Sequence, residues 1–243
     1  MNLKAKWSAQ LFLVFLCALG LKYFYSTASP DELRWILGPT TWLVELLSGR
    51  KFYFESFAGY MSSDHSFLIA ASCAGVNFMI TAFLVLSLRI LLRDKTQTLS
   101  WRVVPITLSF AYIATLVANT VRICIALEMQ KHSPNISWLN ANQLHRLEGI
   151  VVYFGFLVAL FLLTERLDST RAKSLLRRLL LPLLIYYAIA LGIPLVNGAY
   201  SRGAEFWQHS LFVVLIPIAV LLPVVTVYGV QRLRRLHRMA ALG

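Results

Sequence analysis

Cys73, Arg122 and His145 each stand near the end of a separate apolar segment, and a thiol, a fixed cation and an imidazole together can open a carbonyl. A thiol has an ordinary pKa near 8.5 and an imidazole one near 6.5, so a neutral histidine within reach accepts the thiol proton at neutral pH. Thiolate is the attacking species, and an adjacent cation favours it. A guanidinium stays protonated and cannot be the base. Arg122 therefore fits an oxyanion clamp or a substrate anchor.

The neighbours of these residues sharpen the reading. Cys73 lies in the run Ser72-Cys73-Ala74-Gly75-Val76-Asn77-Phe78, where small side chains admit the close approach of a substrate backbone. Helical spacing puts Asn77 one turn below the thiol on the same face. Asn119 precedes Arg122 by three residues and shares its face, which favours a buried polar site over a lone arginine snorkelling to the headgroups. Glu148 follows His145 by three, close enough to fix the imidazole's tautomer, the third-group logic of an activated nucleophile. Asp64 and His65 form an alternative acid and base, on a predicted loop. Cys17 and Cys124 lack such company and read as small apolar fillers. Three cysteines in or beside apolar spans do not make a disulfide framework. With no CxxC or HExxH and no spaced histidine set, neither a metal site nor a cofactor is expected.

The elements that must position these groups are membrane helices. The chain is 58% hydrophobic and only 14% charged, more apolar surface than a soluble domain of 243 residues can hide. Six apolar stretches, 7–25, 67–92, 103–129, 144–164, 179–196 and 210–230, have the length needed to cross about 30 Å of hydrocarbon. Lipid offers backbone groups no partner, so such stretches are helical. The expectation is an all-α polytopic bundle of six spans forming a single integral membrane domain over residues 1–243.

Charge sets the orientation. One set of flanks holds 15 of the 23 basic residues, among them Lys4, Lys6, Arg89, Arg93, Lys95, Arg102, Arg171, Lys173 and the cluster from Arg232 to Arg238. The opposite flanks hold six bases, together with the acids Asp31, Glu32, Glu45, Glu55, Asp64, Glu128, Glu148 and Glu205. The first set is cytoplasmic by the positive-inside rule, which puts Cys73, Arg122 and His145 at the outer edge of the inner membrane. Lipid anchoring accounts for the net charge of +12, and the bases are too dispersed for a nucleic-acid groove. The first span also resembles a secretory signal ending at Ser26-Thr27-Ala28, but its apolar core is long for one, so an uncleaved anchor is preferred. The segment 26–66 is expected to be extracytoplasmic and interfacial. Its amphipathic part, 33–47, is interrupted at Gly38 and Pro39, and its aromatic residues form a lid, a docking surface or a membrane-surface belt.

The Cys-Ala-Gly around Cys73, the run Asn119-Thr120-Val121-Arg122 and His145 at the head of the next span, in that order and topology, resemble the exosortase and archaeosortase family of membrane transpeptidases. The likeness extends from the first span through the fourth, and the chain's size suggests a compact subtype of the exosortase K kind. The resemblance implies that Cys73 is the nucleophile of a thioacyl enzyme, His145 the base that later acts as acid, and Arg122 the transition-state stabiliser. It also implies the substrate: secreted proteins ending in a short motif, one transmembrane helix and a basic cluster, cut at the outer face. Asn77, Asn119 and Glu148 are inferred from helical spacing alone. Two other readings compete, a small transporter or assembly factor with a polar path, and a membrane lipid acyltransferase using His145. Transport sites usually lie near the bilayer midplane within paired repeats, whereas these polar residues gather at one rim.

Overall fold

A computed structural model describes residues 3–93, 101–132, 141–166 and 175–240. The flanking bases Lys95, Arg171 and Lys173 lie outside the described residues. Six helices among the described residues are long and apolar enough to cross a membrane, Trp7–Thr27, Ala71–Leu92, Val103–Lys131, Gln143–Thr164, Leu179–Val196 and Phe206–Tyr228. They coincide closely with the six stretches expected from sequence, and the chain is a polytopic, mainly α-helical membrane protein. Two compact units are distinguished, Met1–Glu148 and Gly149–Gly243.

The first unit is built around α3 (Val76–Arg93), which packs against α1 (Leu3–Thr27) and α4 (Val103–His132). Of the six spans α3 belongs to the most enclosed, 72% buried against 11% for the span in α1; α3 is the core and α1 faces outward. Two long-range bonds fix α1 and α3 antiparallel. Trp7 Nε1 donates to the Leu91 carbonyl at 3.1 Å, and Lys22 Nζ donates to Asn77 Oδ1 at 2.8 Å. A buried hydroxyl pair, Ser87 and Thr107 at 2.8 Å, joins the end of α3 to the start of α4. The Lys- and Arg-rich ends of α1, α3 and α4 thereby gather at one end of this unit, and the outer ends of the same helices meet at the other.

Along α4, Thr107, Thr115 and Thr120 donate to the carbonyls of Val103, Ala111 and Leu116 one turn back. Each hydroxyl is thus satisfied within its own helix, which an apolar surrounding demands.

The segment between α1 and α3 is more structured than its composition suggests. Residues Arg34–Ser48 form one helix, α2, that runs through Gly38 and Pro39 without a break, contrary to the interruption expected there. Its inner face, Ile36, Leu37, Thr40, Thr41 and Val44, is buried, and α2 packs on α4. Trp35 stacks on Tyr112 with centroids 5.8 Å apart, and the Tyr112 hydroxyl donates to the Trp35 carbonyl. Gly49 closes α2 in the left-handed conformation, and the Glu45 carboxylate accepts from the Phe52 amide at 2.7 Å. There the chain enters a small antiparallel sheet in the order β1 (Phe52–Glu55), β2 (Gly59–Ser62), β3 (Leu68–Ile69). The all-α expectation did not include this sheet. Gly59 makes it possible: at φ +123 a Cβ would lie 2.4 Å from the Ile69 carbonyl oxygen, so no other residue lets β2 and β3 approach so closely. Gln130 Nε2 donates to the Ser66 carbonyl at 2.8 Å, tying the sheet's loop to the far end of α4.

The second unit contains the rest of α5 (Ala141–Arg166), α6 (Leu175–Tyr187), α7 (Ile193–Val196) and α8 (Ala204–Ala240). The fifth span widens into a π turn at Ala188–Gly192 just before Pro194. Proline has no amide to donate and its ring crowds the carbonyl four residues back, so the ladder opens there. Within this unit Tyr186 meets Phe154 edge to face at 5.2 Å, and the Tyr187 hydroxyl donates to the Val214 carbonyl.

Candidate active site

The second span does not begin as a continuous helix from residue 67, as the length of its apolar stretch suggested. Leu68–Ile69 is a strand, Ala71–Cys73 is a single 3-10 turn, and Gly75 takes φ +70 before α3 starts at Val76. The left-handed residue releases Cys73 from the helical ladder. Its amide bonds to the Ala70 carbonyl at 2.8 Å, while its carbonyl, ahead of the first turn of α3, must find a partner elsewhere. Asn119 supplies one: its Nδ2 donates to the Cys73 oxygen. Asn119 is fully buried, so this contact is shielded from water.

The same break corrects the placement of Asn77. With Gly75 left-handed, Cys73 and Asn77 do not share a helical face. Asn77 is exposed and turns to Lys22 of α1 instead. Asn119, not Asn77, is the amide that holds the cysteine turn.

One turn beyond Asn119 on α4, Arg122 is 9% exposed, which sets aside a snorkelling role. Its Nη2 lies 2.9 Å from His145 Nε2. A guanidinium can only donate, so Nε2 is the accepting, unprotonated nitrogen, and the ring proton sits on Nδ1. Nδ1 in turn lies 3.3 Å from Glu148 Oε2, at ion-pair distance. Glu148 is buried, and neither of its carboxylate oxygens has a hydrogen-bonded partner among the described residues. The three residues thus form a line of cation, neutral imidazole and carboxylate.

Tyr25, near the end of α1, closes the remaining side. Its hydroxyl donates to the Ala71 carbonyl at 3.4 Å, two residues before the cysteine, and stands near both Cys73 and Arg122. Sequence reasoning missed this residue, because a tyrosine at the end of a span reads as part of the interfacial aromatic belt. Lys22, one turn earlier, was missed too; its ammonium lies 5.7 Å from the Tyr25 ring.

Cys73, Asn119, Arg122, His145, Glu148 and Tyr25 therefore all belong to one end of the first unit, the end away from its basic helix termini. The Cys73 thiol makes no hydrogen bond among the described residues; its link to Asn119 runs through its own carbonyl. Cys17 and Cys124 are free as well.

Asp64 and His65 do not form a second acid–base pair. Asp64 Oδ1 accepts from the Ser62 hydroxyl at 2.6 Å and the Ser66 amide at 3.2 Å, and Arg50 lies 3.8 Å from the other oxygen. The Ser62 and Ser66 bonds hold this carboxyl down at about 2, so it is a turn-forming anion too weakly basic to take a proton at neutral pH. No group of three or more potential metal ligands occurs among the described residues.

Residues 2–163 match the family model described as transmembrane exosortase (Exosortase_EpsH). No curated protein matches the chain, and no solved structure does. The matched stretch contains all of the first unit's helices and every residue of the site just described, and the chain belongs to the transmembrane exosortase family.

Proposed function

We propose that this protein is a membrane cysteine transpeptidase or peptidase that cuts the C-terminal sorting signal of secreted proteins at the outer face of the inner membrane. The observation that carries the reading is the position of α4 between the other two partners. Within one turn, Asn119 holds the Cys73 turn and Arg122 holds His145, so the three groups are tethered to one helix end.

In this reading the whole chain is one integral membrane domain and the basic helix ends face the cytoplasm. A substrate with one transmembrane helix and a basic tail docks beside the bundle in the same orientation, because the bilayer's charge asymmetry holds its tail inside. Its scissile bond, just beyond the helix, then arrives at the depth of Cys73.

The chemistry follows from the line of charges. At rest Arg122 covers the Nε2 lone pair that the base needs. When a substrate carbonyl oxygen draws the guanidinium to itself, Nε2 is uncovered and takes the thiol proton. The thiolate forms an S–C bond, the carbonyl electron pair moves to oxygen, and Arg122 stabilises the resulting oxyanion. Glu148 compensates the imidazolium. Collapse breaks the C–N bond, and the leaving amine takes the proton from His145. An amine acceptor or water then opens the thioester, with His145 as base. Asn119 and Glu148 act as positioning residues.

The test is cleavage of a secreted protein bearing the three-part tail by Cys73→Ala, Arg122→Ala and His145→Ala. Each should abolish processing while substrate still binds, and combined variants should lose no more than the single ones. Transport or lipid acylation would survive Cys73→Ala, and near-normal processing by any variant would remove that residue from the mechanism.

A further inference from the structure

Tyr25 is a polar side chain at this end of the unit that the reaction above does not use. It comes from α1, a helix that otherwise faces outward, yet its hydroxyl is turned inward onto the Ala71 carbonyl in the cysteine turn. At 3.4 Å that bond is long for an O–H donor, whose preferred distance is nearer 2.7 to 2.8 Å, so the hydroxyl gives it up readily for a better acceptor. Tyr25 also stands near both Cys73 and Arg122, the attacking atom and the cation of the reaction proposed above.

We propose that Tyr25 is a catalytic hydrogen-bond donor, its hydroxyl turning from Ala71 to the substrate oxyanion and sharing that charge with Arg122. The inference rests on the transpeptidase reading and adds a group to the same site. No proton is transferred: the carbonyl electron pair moves to oxygen as the S–C bond forms, and the phenol O–H and the guanidinium N–H both donate to it. A phenol is protonated at neutral pH and carries no charge to desolvate, which suits it to the membrane rim.

Tyr25→Phe removes only the oxygen. The assay is processing of the tail-bearing secreted protein that the wild-type chain cleaves, alongside Cys73→Ala and with two further readouts, the unfolding midpoint and the rate at which a small alkylating reagent labels Cys73. Loss of one oxyanion donor costs about 100- to 1000-fold in rate where it acts alone; with Arg122 remaining, kcat should fall about 10- to 100-fold at unchanged KM. Midpoint and labelling should stay at wild-type values. Processing within twofold of wild type overturns the proposal. So does a loss matched by slower labelling and a lower midpoint, which would make Tyr25 a tether of the cysteine turn and nothing more. If Cys73→Ala still processes substrate, the underlying reading falls and Tyr25 with it; if Cys73→Ala is inactive and Tyr25→Phe is not, only the role of Tyr25 is lost.

Discussion

Glu148→Gln isolates the electrostatic part of the site. The amide keeps the shape of the carboxylate beside His145 Nδ1, 3.3 Å away, so only the charge is removed. Opposite unit charges about 4 Å apart attract by about 4 kcal/mol at an effective dielectric of about 20, and by about 1 kcal/mol in water. The pair here is separated by 3.3 Å, with Glu148 buried but the His145 side chain 46% exposed, so the value lies between these limits, at about 2 kcal/mol. That amount, felt only when the imidazolium forms, corresponds to about a 30-fold loss in kcat. The assay is the processing rate at saturating substrate, with the unfolding midpoint as a control for folding. A Glu148→Gln enzyme that is folded and processes substrate within threefold of wild type would show that the imidazolium needs no counter-charge, and the mechanism would lose its third member.

Two further outcomes follow from the geometry. Asn119→Ala leaves the Cys73 carbonyl short of a buried donor and should cost about 1 to 3 kcal/mol of stability, visible as a lower unfolding midpoint together with altered alkylation of Cys73; unchanged values in both would detach Asn119 from the cysteine turn. Asp64 has its folded pKa held down at about 2 against an ordinary value near 3.9, so its contribution to the 62–66 turn is fully present above about pH 4 and fades as pH falls toward 2. The midpoint difference between wild type and Asp64→Asn should therefore close over that interval, and a difference constant down to pH 2 would contradict the assignment.

How far the sequence reached depended on the range of the signal. Spans were legible because hydrophobic length is a local property, and the pairing of His145 with Glu148 because three residues of α-helix bring side chains together. Asn77 was misplaced for the same reason: the helical rule was applied across Gly75, whose positive φ breaks the periodicity. The strands β1 to β3 were hidden in an aromatic, charged segment whose four-residue runs carry little alternation, and their closeness depends on Gly59 meeting Ile69, ten positions on. Tyr25 could not be found from spacing, since 46 residues separate it from Ala71. Asn119 was singled out for its nearness to Arg122, but its role at the Cys73 carbonyl emerges only from the packing of α4 on α3.

The most direct test is the mass of the Cys73-containing peptide after brief incubation of the wild-type protein with its tail-bearing substrate and quenching in acid. A thioester joining the substrate's new C-terminus to Cys73, absent from Cys17 and Cys124 and released by hydroxylamine, is the expected result. Cleaved substrate with no adduct on Cys73, or an adduct on another residue, would contradict it.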